Sequence, residues 1–171
     1  DKILSHAFQA FAEGKHQDAL DMLNKALAND PKNAKLKINI AKLVANQSDF
    51  DSANALLDSL TDAEKDQPEV KEIQTQIKLA IQLKDAGDPS ELEQRLKENP
   101  NDLDALLQMS RFLTASGNYE QAIDMLMLIM QKNRSFNDEA GRKGLIDIFN
   151  ILGNDNPLVK TSRRKMFTLL H

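Results

Sequence analysis

The chain has 171 residues, of which 41% are hydrophobic and 28% charged, enough for one domain with a real core or for an extended array of small units, and too apolar for a disordered polymer. With 22 basic and 26 acidic residues its net charge is -4, so no global field recruits nucleic acid or an acidic membrane. It has no cysteine, which excludes disulfides, thiolate metal sites and thiol redox chemistry within this chain.

Aromatic residues make up only 5%, while Ala, Leu, Lys, Asp and Glu are abundant, a balance that favours helix over sheet. The longest apolar stretch, Met125 to Met130, is far shorter than the roughly 20 residues that span a bilayer. A soluble chain is expected, with no membrane partner, and the lack of cysteine is compatible with a reducing, cytoplasmic location. The sequence opens at Asp1 without a leader pattern, and so reads as a fragment or processed product with something missing upstream.

From the start, Lys2 to Glu13 and His16 to Asn29 are predicted as two helices, with Gly14 as the left-handed residue that closes the first. Ala19 and Ala26 lie on one face of the second, where two backbones approach too closely for a longer side chain. Asp30-Pro31 ends it, because the residue before proline is pushed out of the helical region. The same grammar returns. Ala19 falls on Ala53, Gly14 on Ser48, His16 on Phe50 and Leu23 on Leu57, an offset of 34 residues, the tetratricopeptide period. The second pair is thus predicted at Asn33 to Asn46 and Phe50 to Leu60, followed by an irregular connection, Thr61 to Gln67.

A third pair, Glu69 to Ala86 and Pro89 to Glu98, is degenerate: Leu92 stands where the small alanine belongs, and the second helix is short. The fourth, Leu103 to Ala115 and Tyr119 to Lys132, restores the pattern, with Gly117, Asn118, Tyr119, Ala122 and Leu126 in the places of Gly14, Lys15, His16, Ala19 and Leu23. Beyond it the repeat stops. Asn137 or Asp138 is the expected cap of a helix carrying Leu145, Ile148, Phe149 and Leu152, ended by Gly153, and Pro157 opens a last helix reaching about Leu170. The expected fold is an all-α, right-handed, tetratricopeptide-like helical solenoid of about ten helices, with four hairpins over 1–133 and capping helices over 134–171.

The C-terminal half carries a sharper likeness. The run "LEQRLKENPNDLDALLQMSRFLTASGNYEQAIDMLMLIM", followed by "DEAGRKGLIDIF", "LG" and "NPLVKTSRRKM", resembles the C-terminal region of YbbN-type thioredoxin-like proteins, also called chaperedoxins. The specific part lies between Leu92 and Leu170, and the first two repeats match tetratricopeptide proteins generally. This resemblance implies a preceding thioredoxin-like domain and a part in protein quality control, holding unfolding clients and passing them to folding chaperones. Its partners are then clients, chaperones and that domain. The alternative is a scaffold that assembles one fixed complex.

Register places Leu4, Phe8, Phe11, Ile38, Lys42, Asn46, Leu107 and Arg111 on or near the inner surface of such an array, as partner contacts or as ordinary packing. In the last helix Lys160, Arg163, Arg164 and Lys165 precede Met166, Phe167, Leu169 and Leu170 with no acid among them, which suits either dipole capping or a docking handle. The methionine-rich run Asp124 to Gln131 fits a helix buried on both sides better than an adaptable client surface. Gly141 to Gly144 imitates the loop of RNA-binding KH domains but lacks flanking strands, so close helix packing is the better reading. His6, His16 and His171 have no metal-ligand spacing, and no nucleophile, acid or base constellation stands out. Neither an enzyme nor a cofactor is expected.

Overall fold

The computed structural model describes residues 2–171. These form eleven α-helices and, among the described residues, no strand: α1 (Lys2–Ala12), α2 (His16–Asn29), α3 (Ala34–Asn46), α4 (Phe50–Asp58), α5 (Asp62–Lys65), α6 (Pro68–Lys84), α7 (Pro89–Glu98), α8 (Leu103–Ala115), α9 (Tyr119–Lys132), α10 (Ala140–Leu152) and α11 (Pro157–Leu170). The all-α, tetratricopeptide-like expectation holds. The extra helix is α5, inside the connection expected to be irregular, where Thr61 and Glu64 cap one another's backbone amides.

Two compact units divide the chain, Asp1–Gln74 and Thr75–His171, with the division falling inside α6. In the first, α1 packs on α2, α2 on α3 and α3 on α4. In the second, α9 is the common partner of α8, α10 and α11, and α7 packs on α8.

The turns α1–α2, α3–α4 and α8–α9 share one device, which the α6–α7 turn lacks. Gly14, Ser48 and Gly117 sit at φ 81°, 64° and 80°. Across each, the following amide reaches back five residues: Lys15 N donates to Ala10 O at 2.9 Å, Asp49 N to Val44 O at 3.0 Å and Asn118 N to Leu113 O at 2.8 Å. The left-handed residue's own amide donates three residues back, to Phe11, Ala45 and Thr114. This is the Schellman closure, which satisfies carbonyls that the end of a helix leaves without partners.

Behind each turn the second helix presents a small residue and then a leucine. Ala19, Ala53 and Ala122 are fully buried, and Leu23, Leu57 and Leu126 are at most 1% exposed. Ala26 is partly buried one turn beyond Leu23, and Pro31 is exposed past the end of α2. Asp30 and Asn99, each followed by proline, leave the helix at ψ 76° and 96°. Two first helices, α3 and α8, are started by side-chain caps: Asn33 accepts from Leu36 N at 3.1 Å and Asp102 from Ala105 N at 3.0 Å.

In the second unit, α9 sits deepest. Leu126, Ile129 and Met130 pack with Leu107, Leu145, Ile148 and Val159 in one cluster. Close approach of α10 depends on two glycines: a Cβ on Gly141 would meet Leu126 O at 3.1 Å, and one on Gly144 would meet Leu126 Cδ2 at 2.7 Å. α7 contributes Leu92, 2% exposed, to a smaller cluster with Ala105 and Met109, so leucine there fills space where the other repeats put alanine. Its end is held by Arg95, whose guanidinium forks onto Asp102 with two bonds of 2.9 Å and reaches Asp104 at 3.0 Å.

The entry to α10 departs from expectation. Asn137, Asp138 and Glu139 are all left-handed, at φ 46°, 56° and 58°, so the helix starts at Ala140 after Glu139 with no side-chain cap. Neither Asn137 nor Asp138 caps it, because three successive left-handed residues turn the chain before the first helical amide. At the other end of the unit, Arg134 donates to Leu170 O at 3.2 Å and also to Leu169 O, closing the last turn of α11.

Three outcomes follow from these contacts. Ser48→Gly raises stability by about 0.5–1 kcal/mol in denaturant melts, the left-handed penalty less the freedom glycine returns to the unfolded chain. Gly141→Val lowers it by about 1–3 kcal/mol, because the new side chain has only backbone and core to displace. The Arg95 guanidinium, then the Ala105 amide, hold the Asp102 carboxyl below its usual range. Its contribution is therefore complete above the ordinary carboxylate pKa and lost as the pH falls through the lowered folded value. Asp102→Asn keeps the cap, weakens the ion pair and should be less stable than the native chain at neutral pH, by a margin that closes on acidification.

Candidate functional site

Of the residues placed by register on the inner face, some are withdrawn into the core. Leu4, Ile38 and Leu107 are buried at 8%, 4% and 4% exposure, which makes them packing residues. Phe11 is partly buried and stands edge-on to His16 with ring centroids 4.2 Å apart. Lys42 is ion-paired with Glu69 across α3 and α6, and Asn46 is exposed. Phe8 remains open, 40% exposed, as does Ile3, 49% exposed, elsewhere on the same helix.

The last helix divides in the same way. Arg163 is engaged, donating to Asn154 Oδ1 at 2.6 Å with its guanidinium 5.4 Å from the Phe149 ring centroid. Arg164 is exposed, and Phe167 is 63% exposed, tilted against His171 at 4.3 Å. Val159 and Ser162 point the other way, into the α9 cluster or its edge, both nearly free of solvent. Tyr119, at the first position of α9, is partly buried.

The methionine-rich run divides too, mostly inward. Met127 and Met130 are 8% and 2% exposed, whereas Met125 is partly buried and lines a shallow groove with Leu96, Met109 and Leu113. Gly141 and Gly144 lie within α10 against α9, so their spacing serves helix packing.

Arg111 stands apart. It is partly buried and lines a recess of about 580 Å³, open mouth included, built from α6, α8, α9 and α10 within the second unit. Around it are Lys78, Lys143, Asn137 and Asp147, with Leu79, Leu107 and Leu126 supplying apolar wall. Ser110 and Thr114 also line it, but each hydroxyl is turned to its own helix: Ser110 Oγ donates to Leu107 O and Thr114 Oγ1 to Ser110 O, both at 2.7 Å. Lys78 donates to Asp147 at 2.6 Å, and Lys143 to Asp138 at 2.6 Å. Burial draws the Arg111 guanidinium below its ordinary range, against the attraction of Asp104 and Asp147.

Sequence reasoning placed Arg111 on the inner face but missed Lys78, Lys143 and Asp147. The available signal was register, since Lys78 and Lys143 lie about one repeat length before and after Arg111. Among the described residues no group of three His, Cys, Asp or Glu side chains is placed to hold a metal ion, and no helix is long and apolar enough to cross a membrane.

Comparison with known proteins agrees with this architecture. A family model described as Tetratricopeptide repeat matches residues 82–171, and a second of the same description matches residues 10–77. No curated protein matches the chain. Among solved structures, a domain of protein VP0806, of unknown function, from Vibrio parahaemolyticus RIMD 2210633 is 22% identical over 100% of both chains, with a TM-score of 0.44, too low to carry an argument. Local left-handed closures, buried alanines one period apart and a family match over more than half of the length lead to one statement: the chain belongs to the tetratricopeptide repeat family, whose repeats generally mediate protein–protein interaction.

Proposed function

We propose that this chain is the polypeptide-binding part of a YbbN-type thioredoxin-like chaperone, with four repeats over 1–133 and a two-helix cap over 134–171. It works by non-covalent capture: exposed apolar and basic side chains receive segments of an unfolding client and present them to a folding chaperone, with no chemical turnover. A thioredoxin-like domain and cytoplasmic folding chaperones are its proposed partners. The reading draws on the resemblance between Leu92 and Leu170, and on one observation above others: Phe167, 63% exposed, shares one face of the last helix with the exposed cations Lys160 and Arg164, while Val159 and Ser162 are buried. An apolar ring set among cations suits a partner segment that is apolar and acidic. Phe8 and Ile3 are further exposed apolar side chains on α1, one on each flank of its buried stripe.

A scaffold for one fixed complex is the second reading, and the same helix would serve it. Co-purification separates the two: many substoichiometric clients favour the chaperone, one stoichiometric partner the scaffold.

The direct measurement is suppression of aggregation of a heat-unfolded protein by a several-fold excess of the chain. A clear reduction in light scattering is expected, and no reduction removes the client-binding role. Deleting α11 would strip the α9 cluster, so the docking role is better tested by Arg164→Glu combined with Phe167→Ser. These exposed changes should leave stability within about 0.5 kcal/mol while weakening capture by a folding chaperone at least tenfold. Unchanged capture would remove α11 from the function.

A further inference from the structure

The recess around Arg111 contains a guanidinium whose hydrogen-bonding capacity is unused. No hydrogen bond or ion pair joins Arg111 to another described residue, although it is partly buried and carries five N–H donors in a rigid fork. The two carboxylates that attract it are engaged elsewhere. Asp104 Oδ2 accepts from Arg95 at 3.0 Å and from Gln108 at 2.7 Å, and Asp147 Oδ2 accepts from Lys78 at 2.6 Å. Three cations, Lys78, Arg111 and Lys143, thus line the recess against one carboxylate, Asp147, which Lys78 already neutralises. Among the described residues Lys143 is held only by Asp138, whose side chain is 90% exposed, and a pair so open to water is weak enough to exchange. In a chain of net charge -4 this is a local reversal of sign.

We propose that the recess receives an acidic side chain of a bound polypeptide, with the Arg111 fork taking its carboxylate and Lys143 adding a second charge at the rim. Partial burial favours this ligand, because a carboxylate paired with a planar guanidinium away from bulk water forms two short charge-assisted bonds. Leu79, Leu107 and Leu126 provide apolar wall for the methylenes of a glutamate or for an aliphatic neighbour. A side chain enters such a recess without bringing main-chain amides that need partners of their own. The proposal deepens the polypeptide-binding reading and rests on it: if the chain suppresses aggregation but ignores the acidic probe described next, this assignment fails and that reading stands.

The test is fluorescence anisotropy with three dye-labelled peptides of Gly and Ser around a core. One is amidated and carries Glu-Leu-Glu, one is amidated with Gln-Leu-Gln, and one carries Gln-Leu-Gln with a free C-terminal carboxylate. The native chain should bind the Glu peptide at least tenfold more tightly than either of the others, and Arg111→Gln should abolish that preference at an unchanged melting temperature. Equal binding of the Glu and amidated Gln peptides by the native chain overturns the proposal, whether or not the variant folds. So does a preference for the free C-terminus, which would assign the site to chain ends, or full Glu-peptide binding by a folded Arg111→Gln.

Discussion

A helix that stops on a left-handed residue turns its chain back within a few residues, and that reversal at Gly14, Ser48 and Gly117 decides where the next helix must lie. The two backbone bonds of each closure leave little freedom in the exit direction. The following helix then runs back against the first, and Ala19, Ala53 or Ala122 meets it at the point of closest approach, with no solvent contact. A larger residue there would push the helices apart and open the space that Leu23, Leu57 or Leu126 fills one turn later. Turn and small residue are thus one constraint seen at two positions.

The second unit extends this constraint past the repeats. Gly141 and Gly144 do for α10 what alanine does within a hairpin: they let a helix lie against Leu126 and Ile129 of α9. Since α8, α10 and α11 all rest on α9, its methionines are needed as interior filling, where an unbranched side chain adapts to three neighbours at once. The departure of the C-terminal sequence from the repeat is what shields α9. It also brings α10 alongside α8, and so puts Lys143 and Asp147 within the recess that holds Arg111.

How far this could be read in advance depended on whether the cause was local. Gly14, Pro31 and the offset of Ala19 to Ala53 act within a few residues of themselves, so periodicity was enough to find the hairpins. The left-handed run Asn137 to Glu139 was not foreseen, because residues of those types cap helices as readily as they turn before them. Inner-face assignments by register could not separate Phe8 from Leu4 or Ile38, since which side of a helix stays open depends on how closely its neighbours pack. Lys78 and Asp147 looked like ordinary surface charges until the fold paired them and left Arg111 without such a partner.

The closures have a kinetic side as well. Each hairpin is held by contacts between residues close in sequence, so ordering it costs little loop-closure entropy, and an array of such units can begin folding at any one of them. The three turns are not equal starting points. Gly14 and Gly117 enter the left-handed region without steric cost, whereas Ser48 must carry a Cβ into it. The turn between α3 and α4 is therefore the one of the three whose closure costs conformational energy, and its hairpin gains most from a neighbour already in place.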